Sequence, residues 1–149
     1  MSTPVAAATL PPAPEPTAIA CTDLISPADE KRYEAAGWGF SDDFVQRQTD
    51  QRSPLVAFVE YGGALCQWGY PQSDATDVIG GSALDETQVI EQQKRLEAEG
   101  YTLDEHNGAE RYSNTYDVFE SVYLFVDGYW FYGNSAATVD HARQNADVG

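Results

Sequence analysis

Lys31-Arg32-Tyr33-Glu34-Ala35-Ala36-Gly37-Trp38 returns 63 residues later as Lys94-Arg95-Leu96-Glu97-Ala98-Glu99-Gly100-Tyr101. Five positions are identical, and Trp38 and Tyr101 both set an aromatic ring behind the glycine. Helix formers followed by Gly read as a helix and its stop, because Gly enters the left-handed conformation at little cost. Ahead of the first octet, Ser26 suits a cap and Pro27 the first helical position. Asp29 and Glu30 lie against the positive end of the helix dipole. Ahead of the second, Ser82 or Asp85 caps a longer helix with Val89, Ile90, Gln93, Leu96 and Gly100 on one face.

Outward from each octet the chain repeats its order of elements. An irregular extended stretch follows, Trp38–Gln48 in the first copy and Tyr101–Tyr116 in the second, the latter holding an Asn107-Gly108 turn signal. A hairpin then closes each copy: Leu55–Tyr61 with Ala64–Tyr70 around Gly62-Gly63, and Val122–Val126 with Tyr129–Gly133 around Asp127-Gly128. The two turns are 65 residues apart, within two residues of the octets' offset. This agreement predicts an α+β fold of two tandem helix-plus-antiparallel-sheet repeats, joined edge to edge with the helices on one face of the sheet. The units are residues 21–81 and 82–136, preceded by an Ala/Pro-rich linker over 1–20 and followed by a polar segment over 137–149.

Two-residue turns fix which side chains share a face. In the first hairpin, Leu55, Ala57, Val59, Tyr61, Ala64, Cys66, Trp68 and Tyr70 fall together as the expected helix-covered core. Cys21 precedes the covering helix, so the only two cysteines, Cys21 and Cys66, are expected to form a disulfide. Closing a loop of roughly 44 residues, the bridge is worth about 3–4 kcal/mol in the chain-entropy model. In the second hairpin the corresponding core face is Val122, Leu124, Val126, Tyr129 and Phe131. The opposite face carries Tyr123, Phe125, Trp130 and Tyr132, which one layer of helices leaves bare. Tyr and Trp bury large areas with little loss of entropy and keep a polar handle, so these four are the expected ligand- or partner-binding residues.

The net charge is −16, spread through the chain, with thirteen acids against four bases in residues 83–149. With no basic stripe, nucleic-acid binding is excluded by phosphate repulsion. No apolar run approaches the roughly 18 residues of a transmembrane segment. Nucleophile elbow, P-loop, dinucleotide fingerprint and zincin helix are all missing. Gly80-Gly81 is an isolated pair in a linker. Asp42/Asp43 and Asp104/Glu105 are neighbouring acids in loops, whose side chains diverge rather than converge on a bond. His106 and His141 each have a carboxylate beside them, but solvated histidines are the expectation. No metal or cofactor is assigned.

The start, Ser2-Thr3-Pro4 followed by Ala/Pro-rich sequence to Pro16, resembles the segment behind the lipid-carrying cysteine of bacterial cell-envelope lipoproteins. The resemblance implies export and lipid anchoring through a cysteine whose place Met1, the only methionine, takes. An oxidising compartment agrees with the expected disulfide. In architecture the duplicated unit is similar to the secreted β-lactamase-inhibitor proteins, which cover an enzyme with an aromatic-rich sheet face. Those carry a short bridge in each copy, a pattern this chain lacks. Together these readings lead to a non-enzymatic, envelope-tethered binding module for a protein or glycan partner, monomeric or weakly dimeric. Alternatives are a hydrolase of envelope polymers using Asp104 and Glu105, and a structural or dimerisation domain.

Overall fold

Ser26 starts helix α1 (Pro27–Ala35) with a capping box: its hydroxyl accepts the Asp29 N–H at 3.1 Å while the Asp29 carboxylate accepts the Ser26 N–H at 2.9 Å. Gly37, at φ +76°, stops the helix, and the N–H groups of Gly37 and Trp38 return to the carbonyls of Glu34 and Tyr33. This is a Schellman motif, and its usual apolar contact is present as Trp38 stacked on Tyr33. Helix α4 (Glu86–Ala98) follows the same plan. Asp85 rather than Ser82 caps it, and Gly100 and Tyr101 donate back to Glu97 and Leu96. The likeness of the two octets is therefore the likeness of two helix ends.

The computed structural model describes residues 18–70, 75–116 and 119–147. The expected linker lies outside them up to residue 17. One seven-stranded antiparallel sheet runs β1-β2-β3-β7-β6-β5-β4. Its strands are β1 (Gly39–Phe40), β2 (Ala64–Gly69), β3 (Thr76–Ala83), β4 (Thr102–His106), β5 (Ala109–Tyr116), β6 (Phe119–Val126) and β7 (Tyr129–Gly133). The fold is α+β, as expected. The chain's first three strands meet the last four edge to edge where β3 pairs with β7. The expected boundary between 81 and 82 falls inside β3.

The second hairpin forms as its turn residues require. Asp127 and Gly128 both have positive φ, and Val126 pairs with Tyr129 and Phe125 with Trp130. The first expected hairpin does not form. Leu55–Tyr61 is not a strand: a 3-10 turn over Pro54–Val56 leads into helix α3 (Ala57–Glu60). Ser53 accepts the Leu55 N–H and Pro54 presets the first helical φ. Gly62, at φ +87°, makes a third Schellman stop, with Gly62 and Gly63 donating to Val59 and Phe58. The partner of β2 is β3 instead.

That change puts helices on both faces of the sheet, correcting the expected single helical face. On one face α1 and α5 (Ala136–Ala146), with the 3-10 turn Cys21–Asp23, cover Cys66, Ile79, Val122, Leu124 and Phe131. On the other, α2 (Phe44–Asp50), α3 and α4 cover Leu65, Val78, Tyr112, Tyr123, Phe125, Trp130 and Tyr132. The described part of the expected polar C-terminal segment thus forms most of α5, and it buries Val139 and Ala142. Cys21 and Cys66 form the expected disulfide, Cα–Cα 6.0 Å. Gly80 and Gly81 are not in a linker but at the centre of β3. A Cβ on Gly80 would meet the Phe58 ring, and one on Gly81 would meet Leu24 and Phe131.

Candidate functional site: an aromatic cleft beside helix α1

Tyr123, Phe125, Trp130 and Tyr132 share a face, as expected, but that face is closed. All four are buried, Trp130 completely. Phe58 of α3 stacks on Trp130 with centroids 4.1 Å apart, and the Arg95 guanidinium of α4 lies 5.5 Å from the centroid of Tyr123. The polar handles are satisfied within the protein. The Trp130 indole donates to the buried Ser82 hydroxyl at 2.7 Å, and the Ser121 hydroxyl donates to Tyr132 at 3.3 Å. Burial pushes the Tyr123 phenol up, against the pull of Arg95. These residues form a core rather than an accessible binding surface, because the segment read as an outer strand folds over them as α3.

The aromatic surface that does open lies on the other side of the sheet. Glu30, Tyr33 and Glu34 stand on one side of α1, at positions i, i+3 and i+4. The Schellman turn brings Trp38 back over Tyr33, with centroids 5.6 Å apart and planes 8° from parallel. Trp68 of β2 stacks on Tyr33 at 5.5 Å, and Phe40, its register partner on β1, meets it edge-on at 5.3 Å. Together these six side chains line a cleft of about 260 Å3. Tyr33 and Trp68 are its buried floor. Trp38 is half-buried and Phe40 is 47% exposed at the rim. The Tyr70 ring packs beneath Gly37, close to where a Cβ would stand.

Several contacts fix this geometry. The disulfide ties the approach to α1 to Cys66, two residues from Trp68 on the same face of β2. The Tyr33 hydroxyl donates to Asp77 at 2.7 Å, and burial followed by the Asp77 carboxylate pushes that phenol well up. Arg32 lies over Tyr33, 5.1 Å from its centroid, and is held by Asp29 at 2.9 Å. Burial works against the Asp29 carboxylate, but the Ser26 N–H, Arg32, the Ser26 hydroxyl and the Asn145 amide hold its pKa down at about 2. A smaller cavity of about 140 Å3 adjoins, bordered by Asp29, Arg32, Tyr33, Asp77 and His141.

The other candidates lie away from the cleft. Asp104 and Glu105 lie on edge strand β4, not in a loop. Asp104 accepts two hydrogen bonds from Arg111, at 2.9 and 2.7 Å, which lower its pKa. His106 Nε2 is 3.1 Å from an Asp140 carboxylate oxygen, joining β4 to α5. Sequence alone shows Tyr33 and Trp38 as marks of a repeat and does not bring them to Phe40 and Trp68. The available signal was the stop itself: an aromatic behind the glycine of a Schellman motif turns back onto the helix's last turn. Comparison with protein-family models, curated proteins and solved structures found no match to this chain.

Proposed function

We propose that this is a non-enzymatic binding module of an exported, envelope-tethered protein, and that it binds its ligand in the cleft of Trp38, Phe40, Tyr33 and Trp68. The observation that carries the reading is a ring-lined cleft held open on a rigid frame, with two rings at its rim and two as its floor. Such surfaces gain much contact area for little lost side-chain entropy. At about 260 Å3 the cleft is smaller than the roughly 300–1,000 Å3 that enclose a drug-sized molecule, so it takes one projecting group of a protein, glycan or smaller ligand. The disulfide supports an oxidising compartment. The Ala/Pro-rich start supports a tether.

A fragment screen on the 15N-labelled full chain tests this. Hits should shift the Trp38 indole and the Phe40 amide, and Trp38→Ala should remove the Phe40 shift while leaving a dispersed spectrum. Hits that never reach these signals, or that gather on the exposed Tyr116 and Phe119 of the β5–β6 hairpin, would overturn the choice of site.

A further inference from the structure

We infer that the group the cleft selects is an alkylammonium cation, an inference that rests on the cleft being the binding site. The rings offer electron-rich faces to a cation within about 6 Å of their centroids. Glu30 and Glu34 add two formal charges one helical turn apart, at the edge of the same cleft. Like charges at this spacing repel, and neither carboxylate stands in an ion pair among the described residues. Those pairs are Arg32–Asp29, Arg47–Asp43, Arg95–Glu99, His106–Asp140 and Arg111–Asp104. A bound cation supplies the missing partner.

A bare ammonium is strongly hydrated and loses that water on entering a ring-lined cleft, whereas an alkylated one presents methyl groups to the rings and keeps its charge for the carboxylates. The net charge of −16 favours encounter with cations and disfavours anions throughout. The same headgroup occurs on soluble molecules and on zwitterionic lipids, and the experiment separates the two.

The full chain is titrated with choline, with its uncharged analogue 3,3-dimethylbutan-1-ol, and with phosphatidylcholine vesicles, reading the Trp38 indole resonance and tryptophan fluorescence. Choline should shift Trp38 saturably and bind at least about tenfold tighter than the alcohol, a preference that weakens as salt screens the exposed carboxylates. Glu30→Gln/Glu34→Gln, on an exposed helix face, should fold normally and bring the two affinities together. A response to vesicles alone would assign a lipid-borne headgroup, and a response to free choline a soluble ligand; either supports the cation. Equal binding of choline and the alcohol would overturn the inference and leave the cleft as a site for neutral groups. No Trp38 response to choline or vesicles would also overturn it, and the fragment screen then decides separately whether the cleft binds at all.

Discussion

Trp130 shows how one residue's role depends on what covers it. On the sheet it is a large ring opposite the expected core face; under α3 it is a fully buried ring whose N–H satisfies Ser82. Trp130→Ala should therefore destabilise the fold by about 3–5 kcal/mol, measured by denaturant unfolding, since it opens a cavity and orphans a buried hydroxyl. A loss under 1 kcal/mol would place the ring at the surface. Asp29 makes a different prediction. Its folded pKa lies below the unfolded value, so its contribution is complete above about pH 4 and is lost as pH falls toward 2. Asp29→Asn should remove roughly 1–2 kcal/mol at neutral pH, allowing for solvent screening, and flatten the acid limb of the stability curve. An unchanged limb in the variant would show that the carboxylate is not held down.

At the scale of elements, legibility followed the strength of local signals. Ser26-Pro27 with Gly37, the stop at Gly100, and Asp127-Gly128 are readable, because capping and left-handed turns act within a few residues, while sequence alone leaves Ser82 and Asp85 as alternative caps of α4. Leu55–Tyr61 is ambiguous in sequence, because a short apolar run fits a strand or a buried helix equally well on periodicity alone. The deciding marks were Ser53-Pro54 before it and Gly62 after it, a helix start and stop standing where a hairpin turn was read. Gly100 tests the stops cleanly. A Cβ there meets nothing within 4 Å, so Gly100→Ala should cost only the left-handed backbone penalty of about 1–2 kcal/mol, read from thermal unfolding. Gly80→Ala in β3 should cost about as much or more by another route, because its Cβ would press on the Phe58 ring.

For the whole molecule, alternation told which residues share a face but not what lies over it. Hairpin register correctly grouped Tyr123, Phe125, Trp130 and Tyr132, while much of the cover came from α3, more than sixty residues away in the chain from all four. The cleft was likewise assembled from parts that only the fold brings together: one side of α1, the residue behind its stop, edge strand β1, and Trp68 beside the disulfide. The disulfide was legible because it needed only one strand's face and one helix's approach. Cys21 precedes α1, which carries three of the six lining residues, and Cys66 shares β2 with Trp68.

The most direct test of which aromatic surface is open is hydrogen exchange at the indole N–H groups of the tryptophans, Trp38, Trp68 and Trp130, in the folded 15N-labelled chain. Trp130 should exchange only through global unfolding, and Trp38, at the rim of the cleft, should exchange orders of magnitude faster. Trp130 exchanging as fast as Trp38 would mean that α3 does not seal the sheet face, and would contradict the assignment of the binding site to the cleft.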